Sequence, residues 1–193
     1  MEVLRAIVEA SPDILSMQQE QETLAAKEQK EQVLNLVTSI QKQSDALVKE
    51  YLSHQGAPFS SNGFSYPLHQ LKDLPWLDIN LLPSSPWKSL VFSLSAYSTL
   101  IGWFESTLKW QRKLNSRAQK LIDHLEASYQ HVRALSSSLS SLLQEPIPTS
   151  QAMPEIKEVF TQKVTGYGVC QCFCDWMAQT KRDMENLVAE TSV

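Results

Sequence analysis

Apolar residues recur at steps of three and four along most of the chain, and that spacing marks out four helical stretches. Over about 23–55, Val33, Val37, Ile40, Leu47 and Tyr51 form one stripe with Ser44 as its gap, widened by Leu34, Val48 and Leu52. Gly56-Ala57-Pro58 ends it, because Gly accepts the left-handed terminal turn and Pro cannot continue a helix. Over about 86–113, Leu90, Leu94, Tyr97, Ile101, Phe104 and Leu108 give the most regular run in the chain. Ser84-Ser85-Pro86 opens it with a hydroxyl cap and a proline at the first helical position. The third stretch, about 116–144, carries Leu121, Leu125, Tyr129 or Val132, Leu135, Leu139 and Leu142, and stops before Pro146-Ile147-Pro148. The fourth, about 157–189, has a broad apolar face that includes Val159, Tyr167, Val169, Cys170, Phe173, Cys174, Trp176, Met177, Leu187 and Val188. Gly166 and Gly168 each weaken its first turns by roughly 1 kcal/mol relative to Ala.

The links decide topology. The 56–85 stretch holds Pro58, Pro67, Pro75 and Pro83 among the aromatics Phe59, Phe64, Tyr66 and Trp76. It reads as a crossover packed on the bundle, with a short helical turn near 77–82. Such a long link lets the second helix run parallel to the first. The very short link near Asn115 makes the second and third antiparallel neighbours. A helix over 116–144 would be roughly 43 Å long, whereas a link of about eleven residues reaches roughly 40 Å. Either the third helix frays or the fourth starts nearer Val159. The expected architecture is an all-α, long-chain four-helix bundle in up-up-down-down order, with up-down-up-down as the alternative. Residues 1–22, broken by Ser11-Pro12-Asp13, are expected to be a mobile N-terminal segment ahead of a bundle domain over 23–190. Pro12 could also open a short helix there.

Composition removes several classes of function. The chain has 193 residues, enough for one domain with a real core. Its net charge of −4 provides no basic footprint for nucleic acid and no polybasic face for a membrane surface. The 89–104 stretch is too short and too rich in hydroxyls to span a bilayer, so no membrane insertion is expected. Glu2 and Glu9 bracket an apolar stretch too short for a recognisable secretory signal. Cys170, Cys172 and Cys174 lie too close together for a disulfide framework, and helical steps of 100° spread them around the axis. They read as small core residues with one exposed thiol rather than as metal ligands.

No phosphate loop, His-Glu-x-x-His run or nucleophile elbow occurs, so neither a catalytic residue nor a cofactor is expected. His124 and His131 share a helix face and could form a metal pair, but solvated surface histidines are the simpler reading. The Glu-, Gln- and Lys-rich run over 20–31 fits a solvated helix face.

Three blocks go further. Glu50-Tyr51-Leu52-Ser53-His54-Gln55-Gly56-Ala57-Pro58-Phe59 resembles the end of the first helix in the cardiotrophins, ciliary neurotrophic factor and cardiotrophin-like cytokine. Leu114-Asn115-Ser116-Arg117-Ala118 is similar to the cardiotrophin junction between second and third helices. Phe160-Thr161-Gln162-Lys163-Val164-Thr165-Gly166, continuing to Asp175-Trp176, is similar to the start and middle of the cardiotrophin fourth helix. Asn62-Gly63-Phe64-Ser65-Tyr66-Pro67 also resembles the cardiotrophin and neuropoietin loop. The blocks stand in the right order and cover about residues 40 to 190.

The resemblance implies a secreted cytokine ligand of the interleukin-6 family, monomeric and not an enzyme, that assembles class I cytokine receptors. It implies glycoprotein 130 and a receptor of the leukaemia inhibitory factor type as partners. Several similar members lack a conventional signal peptide. Phe160 and Lys163 match the Phe-x-x-Lys motif with which such members contact the leukaemia inhibitory factor receptor. Read alone, that motif arises by chance in roughly every second or third chain of this size, and Phe160 would serve equally as a hydrophobic staple. The shared glycoprotein 130 is expected on the faces of the first and third helices. A possible alpha receptor would meet the ends of the long loop and of the fourth helix, where Gln179 replaces the Arg that relatives carry three residues after the Trp. The rival reading is an intracellular helical adaptor or scaffold, consistent with free thiols and no signal.

Overall fold

The structure is a computed structural model that describes residues 11–192. Its helices are α1 (Ser11–Ser44), α2 (Leu47–Ser53), α3 (Pro86–Leu114), α4 (Gln119–Leu143) and α5 (Val159–Thr191). Among the described residues there is no strand. The first two helices together form the first arm of a four-helix bundle.

Side-chain pairs give the direction of every arm. Gln29 and Gln43 on α1 meet Ser141 and His124 on α4, so those helices are antiparallel. Lys30 bonds Thr191 and Tyr51 bonds Lys163, which makes α1–α2 antiparallel to α5. Ser89 meets Asp183, and Tyr97 meets Thr180, so α3 is antiparallel to α5 as well. Arg112 reaches Glu126 across the short link, completing the antiparallel set. The order is therefore up-up-down-down. The first arm packs against α4 and α5 and so does α3, leaving the two parallel helices diagonal to each other.

The apolar stripes form the core. Val33, Val37, Ile40, Leu47 and Tyr51 are buried, as are Leu90, Leu94, Tyr97, Phe104 and Leu108. Val132 is buried where Tyr129 is only half-covered, which settles that position of the third stripe. Phe104 and Phe173 meet edge to face with centroids 5.2 Å apart. Ile101, Tyr167 and Val188 are only half-buried, and Val159 is 48% exposed because it stands at the first position of α5 before any neighbour covers the helix.

Boundaries depart from the periodicity in three places. Helix α1 begins at Ser11 rather than near 23. Its early residues are good helix formers, and their side chains from Asp13 to Ala26 are exposed, so no buried stripe marked the helix there. Residues 1–10 of the expected mobile segment lie outside the described residues, and 11–22 are helical. The third helix is the shorter of the two possibilities at 25 residues, roughly 37 Å, and α5 starts at Val159. The 144–158 link then has a reach of roughly 50 Å, enough to return along the bundle.

The third departure is a break at 45–46 in what reads as a continuous helix. Ser44 occupies a core position, and its hydroxyl bonds back to the Gln41 carbonyl at 2.9 Å, a local bond that competes with the helix ladder. Two carbonyls at the break are taken by other helices. A ring N–H of His124 donates to Gln43 O at 2.9 Å, and the Cys174 thiol donates to Ser44 O at 3.1 Å. His124 is thus a tether between α4 and α1. Among the described residues no group of His, Cys, Asp and Glu is arranged to hold a metal ion.

Cys170 and Cys172 are buried and Cys174 is half-covered. Burial pushes all three thiols up, Cys174 to about 12 with the Asp175 carboxylate adding to the effect. Cys174→Ala should cost about 1 kcal/mol in chemical denaturation, and Cys174→Ser, which keeps a donor, should cost less. The native protein should resist a thiol-specific disulfide reagent at pH 8, with all three thiols reacting once it unfolds. Unfolded thiols ionise near about pH 8.5 while the folded ones stay protonated, so unfolding releases protons above that pH. Stability should therefore fall as pH rises beyond about 8.5, as urea midpoints across that range would measure.

Candidate functional site

The end of α2, the end of α3 and the start of α5 converge at one end of the bundle, and the first part of the long loop lies over them. Tyr51 is fully buried there, its hydroxyl donating to the Lys163 carbonyl at 2.8 Å. It passes so close to α5 that a Cβ on Gly166 would collide with the phenol oxygen. Two residues on, a Cβ at Gly168 would stand 2.6 Å from Leu74 and 2.9 Å from Leu71 of the loop. The glycines that weaken the helix in isolation are therefore where other chain segments come closest to it.

The loop arrives as an ordered layer. Phe59 and Leu74 are buried, 3-10 turns form at Leu68–Gln70 and Ile79–Leu81, and the Trp176 indole N–H donates to Pro75 O at 2.5 Å. Its aromatics gather around the first turns of α5. Phe59 lies 4.9 Å from Phe64 and 5.5 Å from Phe160, Phe64 lies 5.9 Å from Tyr167, and Tyr66 meets Phe160 edge-on at 6.3 Å. Phe160 remains 44% exposed, with Val159 exposed beside it. A staple would pair the residue before the cap with the fourth helical position. With Glu158 as cap those positions are Lys157 and Gln162, so Phe160 at the second position is not a staple.

Lys163 lies three residues on and is half-buried. Its ammonium donates to the Gln55 carbonyl at 2.7 Å. Gln55 and Gln111, both buried, pair their amides reciprocally at 2.9 and 3.0 Å. Gln111 also donates to the Tyr51 hydroxyl at 3.2 Å, and Asn115 donates to Gln111 Oε1 at 2.7 Å. The three arms thus meet through a polar network that reaches the first turns of α5 at Lys163. Periodicity passed over Gln111, although it stands three residues after Leu108 on the same stripe. A polar residue at a core position is the signal that would have found it.

Elsewhere, Gln179 is turned along its own helix, donating to Asp183 Oδ1 at 3.0 Å and accepting from Arg182 at 2.9 Å. Burial raises the Asp183 carboxyl. The end of the long loop leaves Ile79 67% and Leu81 72% exposed. Between α1 and α4 runs an open groove with Gln29, Gln32, Ser137, Ser138 and Ser141 on its walls and Val33 and Leu36 below. No described helix is long and apolar enough to cross a membrane.

Comparison with known proteins gives this geometry a context. The family model described as plethodontid receptivity factor matches residues 29–192. The chain is similar to cardiotrophin-1 of Rattus norvegicus, 32% identical over 172 residues, with 81% of this chain and 84% of that protein covered. It is 26% identical to cardiotrophin-1 of Homo sapiens over 168 residues, with 81% and 84% covered. To cardiotrophin-2 of Mus musculus it is 28% identical over 174 residues, with 83% and 84% covered.

The approach of Tyr51 to α5 sets a sharp steric condition. Gly166→Ala should destabilise the protein by about 1–3 kcal/mol, the usual cost of overfilling a packed contact. Adding Tyr51→Phe, which removes the colliding oxygen, should recover part of that loss in a double-mutant cycle read by urea denaturation.

Proposed function

The chain belongs to the plethodontid receptivity factor family and is a cardiotrophin-like cytokine of the interleukin-6 family, and on that premise we propose that it is a secreted ligand that brings two class I receptor chains together. Signalling would follow from geometry, since assembling two receptors brings their intracellular kinases within reach of each other, with no turnover by the ligand.

The observation that carries this reading is the exposed aromatic surface at the start of α5. Phe160 is a large apolar side chain left 44% exposed on a rigid helix and backed by Phe59 and Tyr66. A buried hot spot in an interface needs such an anchor, held in place before the partner arrives. Phe160 and Lys163 are assigned to a receptor of the leukaemia inhibitory factor type, the ring filling a pocket and the ammonium fixing its orientation. Glycoprotein 130 is assigned to the faces of α1 and α4. Their shared groove has uncharged polar walls over an apolar floor, a surface that can be desolvated without stranding a charge. The exposed pair Ile79 and Leu81 favours a third contact, with an alpha receptor at the end of the long loop. Gln179 makes the helix side of that contact different from the Arg-bearing relatives. The adaptor reading has no comparable feature in its favour.

The test is binding of the purified chain to the ectodomain of the leukaemia inhibitory factor receptor, beside a Phe160→Ala, Lys163→Ala variant whose fold is verified by circular dichroism. The parent should bind, and the variant should lose at least about thirtyfold in affinity, the effect of one lost hot spot. A folded parent that does not bind would overturn the assignment, and an intracellular scaffold would then be the reading to pursue.

A further inference from the structure

Lys163 is not a free tether at the surface: its backbone carbonyl is held by Tyr51 near the end of α2, and its ammonium by the chain just beyond that helix. The residue that holds the ammonium, Gln55, lies beyond that helix, after the cap residue His54. Its backbone N–H makes only a long 3.3 Å bond to Leu52 O. What anchors Gln55 is its side chain, which donates to Tyr51 O at 3.0 Å and exchanges two amide bonds with Gln111. Gln111 in turn contacts Tyr51, whose hydroxyl holds the other end of Lys163. Both restraints on Lys163 therefore converge on one amide pair between the first arm and α3.

Resting on the receptor reading above, we propose that Gln55 and Gln111 are positioning residues for the Phe160–Lys163 contact, buried beneath it and acting through Lys163. An ammonium has three donors, and the Gln55 carbonyl uses one, which leaves two for an acceptor on the partner. Because the side chain is immobilised when the protein folds, its ordering is not charged to the binding step. The aromatic surface stands on ring contacts, and no hydrogen bond joins either amide to Phe59, Phe64, Tyr66 or Phe160, so the effect should fall on the cation.

The test replaces both amides together, Gln55→Met with Gln111→Met, so that neither glutamine is left buried without the other and the volume is nearly kept, while the half-buried Asn115 amide, which donates to both, turns to solvent. Affinity for the receptor ectodomain should fall about threefold to tenfold, the scale of ordering one long side chain, mostly through faster dissociation. In a Lys163→Ala background the same pair should change affinity by less than about twofold, since additivity fails only where two sites are coupled. Equal losses in both backgrounds, or no loss in either, would overturn the proposal. Heteronuclear NMR of the Lys163 ammonium in the free protein provides a second readout. It should be ordered in the parent and motionally averaged in the methionine pair. An averaged ammonium in the parent overturns the tie without reference to any receptor. Failure of the parent to bind overturns instead the reading on which the proposal rests, and the two failures are distinguishable.

Discussion

Tyr51 lies across α5 in the space that a side chain at Gly166 would fill, and much of this end of the molecule depends on that approach. The phenol reaches the Lys163 carbonyl only because the two backbones come this close. The same proximity places Gln55 beside Lys163 and lets Gln55 meet Gln111 across the bundle. A second close approach, of Leu71 and Leu74 to Gly168, seats the long loop on α5. Loop aromatics and helix aromatics then share one surface. Two glycines that lower helix propensity thus permit the contacts that hold three arms and the crossover together.

Antiparallel packing imposes the rest of the topology. Each arm packs mainly against neighbours of opposite direction, so the parallel pairs are diagonal, and each parallel pair needs a connection the length of the bundle. The loop before α3 and the 144–158 link meet that demand in different ways. The first uses buried Phe59 and Leu74 and tryptophan hydrogen bonds to become a packed layer. The second is mostly exposed, with Met153 resting against Gly102 of α3. The surface proposed for receptor contact is built on the packed connection.

Core and topology were legible in the sequence because burial writes itself as period. Leu90, Leu94, Tyr97, Phe104 and Leu108 needed no structure to be placed inside. Residues 11–22 of α1 escaped because a helix with no buried face leaves no stripe. The break at 45–46 escaped because Ser44 reads as a gap, and only the tertiary partners His124 and Cys174 explain how its carbonyls are satisfied. At the candidate site, Phe160 and Lys163 came from resemblance. The amides beneath them follow from no period, since reciprocal Gln55–Gln111 pairing depends on which helices meet.

The bonds at this site bear on folding as well. Tyr51 and Lys163 are 112 positions apart in the chain, Gln55 and Lys163 are 108 apart, and Gln55 and Gln111 are 56 apart. Contacts of such high sequence separation carry a loop-closure cost that their own few bonds do not offset, so they depend on the packing of the rest of the bundle. A chain in which only α3 and α4 had docked would lack the surface on α5, which needs α2 and the long loop as well. Possession of that surface is therefore a certificate of completed folding, and a partner that reads it would engage finished molecules and pass over intermediates.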